Sequence, residues 1–157
     1  GPLDGNGRRS LYTKVTIMEP PKFLLTFNQP KPKIPTGKRD VTNTPIQALT
    51  LLNDPVYVEA AQALARLMVK AGETTEEKIA RGFRLCLTRS PKPAETQRLL
   101  ALYEQVRAVY ATDANAAKAM ATDPIGPLPT GSDAVELASW TVVGNILLNL
   151  DEVFLKR

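Results

Sequence analysis

Thr44-Pro45-Ile46-Gln47-Ala48-Leu49-Thr50-Leu51-Leu52-Asn53-Asp54-Pro55 packs two helix starts and one helix stop into a single short stretch. The Thr44 hydroxyl is placed to accept from a first-turn N–H, and Gln47, three residues on, can reach back to the N–H of the cap. Pro45 stands at the first helical position, where its missing N–H loses no intrahelical bond. A helix over 45–53 follows. Asn53-Asp54-Pro55 stops it and opens the next, with Asp54 as N-cap and Pro55 again at the first position.

The same grammar runs downstream. Val58, Ala61, Leu64, Ala65 and Met68 line one face of the helix that Pro55 opens, and Gly72 ends it. Thr74 with Glu77 forms a second capping box, opening a helix over 75–89 whose apolar stripe is Ile79, Phe83, Cys86 and Leu87. Pro93 begins a helix over 93–111, with Leu99, Leu102, Val106 and Val109 on a shared face. An Ala-rich helix near 114–122 precedes a Pro/Gly loop at 123–131. Asp133 and Glu136 then cap a last helix from 134 to about 155. Its broad stripe of Leu137, Trp140, Thr141, Gly144, Leu147 and Leu148 marks it as the central one. About six helices with short connections predict an all-α fold, an antiparallel multi-helix bundle.

Upstream the pattern changes. Residues 10–18 alternate, with Leu11, Thr13, Val15 and Ile17 on one side, as in a short strand or extended arm. Pro20-Pro21 ends that run, and Phe23-Leu24-Leu25-Thr26-Phe27 reads as one apolar helical turn. Residues 28–40, with Pro30, Pro32, Pro35 and Gly37, read as an irregular loop. The chain thus divides into a cleavage scar or linker at 1–7, an extended, basic, Pro-rich arm at 8–40 that packs on the bundle, and a helical domain at 41–157. The arm is expected to pack through Leu11, Tyr12, Phe23 and Phe27.

Composition narrows the chemistry. The 157 residues are 43% hydrophobic and 23% charged, with one cysteine, Cys86, and no histidine. A chain of this size buries enough surface to fold without disulfides or metals. A zinc site, a Cys-x-x-Cys-His haem attachment and the Ser–His or Cys–His nucleophile systems all need residues that are missing here. No cofactor is expected in this chain, and no catalytic activity of the chain alone. Cys86, between Leu85 and Leu87, reads as a buried thiol acting as a small hydrophobe. No apolar run approaches the ~20 residues of a membrane span, and no signal peptide is expected within it. Residues 1–40 hold eight basic residues against three acidic, a net +5, while the remainder holds twelve against thirteen. A basic arm on a neutral body suits an acidic surface or nucleic acid. The scattering of its lysines among prolines argues against nucleic acid.

Three polar clusters interrupt the apolar pattern. Arg8-Arg9-Ser10-Leu11-Tyr12 sets two guanidiniums beside an aromatic ring, suited to a carboxylate or phosphate ligand, or to pinning the arm on a bundle carboxylate. Thr42-Asn43-Thr44 and Asn53-Asp54 can line a pocket or serve as caps and turn formers. Asn149-Leu150-Asp151-Glu152 puts two carboxylates near a helix C-terminus, where they oppose the macrodipole and call for a cation. They are either a catalytic carboxylate pair or half of an ion pair with Arg8 or Arg9. The candidate ligand or partner residues are therefore Arg8, Arg9, Tyr12, Asn43, Asp54, Asn149, Asp151 and Glu152, with no metal ligands among them.

Five segments in order carry a family likeness: Arg-Arg-Ser-Leu-Tyr (8–12), Glu-Pro-Pro-Lys-Phe-Leu-Leu-Thr-Phe-Asn-Gln-Pro (19–30), Arg-Asp-Val-Thr-Asn-Thr-Pro-Ile-Gln-Ala-Leu-Thr-Leu-Leu-Asn-Asp-Pro (39–55), Phe-Arg-Leu-Cys-Leu-Thr-Arg-Ser-Pro (83–91) and Leu-Leu-Asn-Leu-Asp-Glu (147–152). Together they resemble the C-terminal part of the planctomycete-specific domain of unknown function that follows a planctomycete-type cytochrome c domain in large, exported proteins. The resemblance implies a fragment of a multidomain periplasmic or extracellular protein. A haem c domain would lie upstream, and the partners would be upstream domains of the same polypeptide. It transfers no catalytic residue. The resulting expectation is a non-catalytic helical scaffold or interaction module. The alternative is part of a polysaccharide-degrading or redox enzyme whose site, with Arg8, Arg9, Asp151 and Glu152, is completed by upstream segments.

Overall fold

The computed structural model describes residues 22–30, 34–38 and 42–154. Within them the chain forms α1 (Lys22–Thr26), α2 (Pro45–Asn53), α3 (Pro55–Val69), α4 (Thr75–Leu87), α5 (Pro93–Thr112), α6 (Ala114–Thr122), α7 (Ala134–Leu148) and α8 (Asp151–Phe154). No strand occurs among the described residues. The expected strand or arm at 10–18 lies outside them, as do Arg8, Arg9, Leu11 and Tyr12. The all-helical bundle is what forms.

The caps explain the boundaries. The Gln47 N–H donates to the Thr44 hydroxyl at 3.3 Å, and the Gln47 side-chain oxygen accepts from the Thr44 N–H at 2.9 Å. The Thr74–Glu77 box closes the same way on α4. Asp54 ends α2 and caps α3 at once, its carboxylate accepting from the Val56 N–H at 2.9 Å. Asp113 likewise ends α5 and caps α6, and Asp133 caps α7. Each cap satisfies donors that the first turn otherwise leaves without a partner.

Helix α7 is the hub, packing against α3, α5 and α6. Leu137, Ala138, Trp140, Val143, Gly144 and Leu147 are all buried on it, so it is enclosed around most of its circumference. Its two buried hydroxyls return to the helix backbone: Ser139 donates to the Val135 carbonyl at 2.7 Å and Thr141 to the Leu137 carbonyl at 2.8 Å. The main core joins Leu64, Ala65 and Met68 of α3, Ile79 and Phe83 of α4, Leu99 and Tyr103 of α5, and Trp140, Val143 and Leu147 of α7. A smaller cluster of Ala117, Ala121, Leu137 and Ala138 seats α6. Helices α3 and α7 approach closely because Gly144 has no side chain: a Cβ there would stand 3.0 Å from the Ala61 carbonyl oxygen.

Several expectations need correction. The buried face of α5 is Leu99 and Tyr103, continued by half-buried Val106 and Tyr110; Val109 is 61% exposed. Spacings of four, three and four keep those residues on one side, whereas Val109 turns outward by about 100° from Tyr110. Val58, Cys86, Leu87, Leu102 and Leu148 are half-buried rather than central. The expected helix from 134 to about 155 breaks after Leu148. The Asn149 and Leu150 N–H groups fold back on the last turn of α7, and α8 restarts at Asp151. The break moves Asp151 and Glu152 from a helix C-terminus, where the macrodipole opposes them, to a helix start that favours them.

Candidate functional site

The corner where α1 packs on α2, to which α8 is joined through Asn43, collects most of the candidate residues that are described. Gln47, only 3% exposed, is its centre. Its side-chain amide donates to the Thr26 carbonyl at 2.9 Å and to the Thr42 hydroxyl at 3.0 Å. Asn28 donates to the same hydroxyl at 2.7 Å. The residue that closes the cap of α2 therefore also fastens α1 to it. The ring of Phe27 stands 6.2 Å from that of Tyr57 and ties α1 to α3. Burial, reinforced by the negative charge of Asp54, pushes the Tyr57 hydroxyl to a higher pKa.

From this corner Asn43 donates to the Asp151 carboxylate across 108 positions of sequence. Asn145 of α7 donates to the Leu52 carbonyl at 3.0 Å, stitching α7 to the end of α2. The next residue of α8, Glu152, accepts from Arg89 twice, at 2.7 and 2.9 Å. Arg89 also makes two 2.8 Å bonds to Glu95, and its guanidinium lies 5.1 Å from the centre of the Phe83 ring. One arginine thus clips α8 to the α4–α5 turn.

The sequence-predicted residues fall into four groups, the last being Glu152 alone. Asn43 and Asp151, members of separate clusters in the sequence, are brought together. Asp54 and Asn149 serve backbone ends: Asp54 is the shared cap described above, and Asn149 is the C-cap of α7. Arg8, Arg9 and Tyr12 lie outside the described residues. The cation that answers Glu152 is Arg89. Arg89, Glu95, Gln47 as a tertiary hub, and Asn145 were not singled out as site residues. The one signal for Glu95 was its place three residues into the turn opened by Lys92, where its carboxylate accepts from the Lys92 N–H at 2.6 Å.

The electrostatics describe fasteners. Hydrogen bonds from Arg89 and from the Lys92 N–H hold the Glu95 carboxyl down to about 2. Hydrogen bonding to Arg89 lowers that of Glu152. Both are ionised near neutral pH, the wrong state for a general acid. Burial pushes the half-buried Cys86 thiol up, away from the reactive thiolate. Among the described residues no three His, Cys, Asp or Glu side chains gather as a metal would require. No helix among them is long and apolar enough to cross a membrane. An open depression of about 500 Å³ between α5 and the start of α7 is lined by Glu104, Arg107, Ala108, Ala111, Asp133 and Val135, and takes in none of the candidate residues.

No curated protein and no solved structure matches this chain. The model of one family does, over residues 3–103, from the basic arm into α5. With that match covering well over half of its length, the chain belongs to PSD1, a family of proteins of unknown function (DUF1553).

Proposed function

We propose that this chain is a non-catalytic helical scaffold or interaction module of a large exported, multidomain planctomycete-type protein, whose partners are upstream domains of the same polypeptide. One observation carries the reading. The polar residues most suggestive of a site, Asn43, Asp151 and Glu152, are engaged in contacts that join residues 42–47, 89–95 and 151–154 into one connected corner. A corner of this kind orients the entering chain against the body of the bundle, which is what a module presenting a neighbouring domain needs. A haem c carried by such a neighbour is part of the proposal. The residues of this chain do not fit that group, since it has one cysteine and no histidine.

Asn43→Ala and Glu152→Ala, placed singly in the full-length parent, test the reading. The scaffold role is supported if each lowers the melting temperature of the helical module while leaving any measurable activity of the parent in place. Loss of that activity with an unchanged melting temperature overturns it in favour of an enzyme part. Fractionation of the native cell for the parent, with a haem stain, tests the exported and haem-linked parts independently.

A further inference from the structure

Helix α3 buries one face and leaves the other bare. Ala61, Leu64, Ala65 and Met68 turn into the core, while Val56, Ala60, Ala63 and Leu67 are exposed, the valine by 58% and the leucine by 51%. Spacings of four, three and four hold these four within an arc of about 60°. No charged residue interrupts them. Glu59 and Arg66 fall to one side of the stripe, both half-buried, and Arg66 is spent on the Gly126 and Pro127 carbonyls. A solvated helix face normally carries charge, as α5 does with exposed Arg98, Glu104 and Arg107. An apolar stripe edged by charge marks an interaction surface.

The order of the residues selects the partner. Large, small, small, large is the same in both directions, and Val56–Leu67 and Ala60–Ala63 share one midpoint, between residues 61 and 62. A surface with that symmetry fits a copy of itself turned about a two-fold axis. We propose that the stripe docks on α3 of a second copy, antiparallel, with Val56 against Leu67 of the second copy and Ala60 against Ala63 of the second copy. The spacing is the four–three alternation by which paired helices interdigitate, and alanines at the axis let the two backbones approach. The charges agree with this register. Lys70, exposed one turn beyond Leu67, comes to lie beside Asn53 and Asp54 of the second copy, and each helix start faces a helix end. The proposal goes beyond the scaffold reading and stands without it.

Sedimentation of the whole chain across a dilution series tests the association. A single helix pair is at the small end of interface sizes, so a dimer is expected with Kd in the range of roughly 10–500 µM. A chain that stays monomeric up to about 1 mM overturns the proposal. Disulfide trapping reads the register. Val56→Cys and Leu67→Cys are made separately, each with Cys86→Ser, then mixed and oxidised. The mixed cross-link between positions 56 and 67 is expected to form at least about tenfold faster than either like pair. In the antiparallel pairing like residues stand roughly 16 Å apart, beyond the reach of a disulfide. Equal rates, or faster like pairs, overturn the proposal. Ala63→Glu lies on the exposed face, so it is expected to abolish the dimer while leaving the melting temperature of the dilute monomer unchanged. Lys70→Glu is expected to weaken the dimer at least about fivefold. Association of either variant as tight as that of the parent chain overturns the docking.

Discussion

Gln62 of α3 accepts a hydrogen bond from the Ile125 N–H at 3.1 Å, across 63 positions of sequence. Its amide nitrogen donates to the Met120 and Asp123 carbonyls, both at 2.7 Å. One side chain, 1% exposed, thereby satisfies three backbone groups in the last turn of α6 and the loop that follows it. Arg66, one turn further along α3, adds bonds to the Gly126 and Pro127 carbonyls at 3.0 and 2.9 Å. The loop that delivers α7 to the core is held by polar groups of α3 as well as by Leu128, which packs on the smaller core cluster.

Gln62→Leu preserves most of the volume and removes all three bonds. The unpaired buried groups it leaves should cost about 3 kcal/mol, at one to three for each group that water cannot reach. Chemical denaturation measures the loss. A change under about 1 kcal/mol would mean that the loop keeps its shape without Gln62.

Tyr103 and Trp140 stack with ring centres 4.5 Å apart, and the Lys78 ammonium sits 5.9 Å from the Trp140 ring while pairing with Glu136 at 2.7 Å. Trp140 is fully buried, so Trp140→Ala should cost about 3–5 kcal/mol. Tyr103→Leu combined with it in a double-mutant cycle should show a coupling of about 0.5–1.5 kcal/mol. Additive losses would reduce the stack to simple burial.

Local chemistry made much of this fold legible. The boundaries of α2 coincide with those read from its caps, because a cap is decided by residues within one turn of each other, and those of α6 with its Ala-rich stretch. Trp140, Ile79 and Phe83 were legible as core from their helical spacing. Tertiary choices were not. Val109 and Tyr110 are both credible core residues on sequence, and only the position of α7 decides between them. Asn43 and Asp151, 108 residues apart, were each noticed without any sign that they meet. Arg89 was invisible as a clip because its partners lie six and 63 positions away. The break after Leu148 was missed because the apolar spacing hardly changes there, while the cost of acidic residues at a helix end does.

Thr88, the C-cap of α4, has φ of 58°, in the left-handed region that β-branched residues rarely adopt. Its N–H still caps the helix by donating to the Arg84 carbonyl at 3.2 Å. Glycine takes this conformation without the Cβ clash, so Thr88→Gly should stabilise the fold by about 1 kcal/mol. Thermal unfolding reads the gain. A net loss would show that the hydroxyl bond from Thr88 to the Leu87 carbonyl outweighs the strain.

The clip at Arg89 makes a prediction about acid. Glu95, held at about 2 in the folded chain, titrates near the ordinary 4.5 when unfolded. Folding therefore gains from its ionised form above pH ~4.5, and that gain disappears as the pH falls from there toward 2. Glu152 shifts in the same direction through the same guanidinium. Arg89→Met keeps the stem over Phe83 and removes the charge. The variant should be less stable than the parent chain at pH 7, and the gap should close progressively below pH 4.5. Salt should narrow the gap as well, because Arg89 and Glu95 are each 30% exposed and Glu152 57%. Urea titrations at pH 7, 4 and 2.5 would decide it. A gap independent of pH would mean that Arg89 acts through packing on Phe83 and not through its charge.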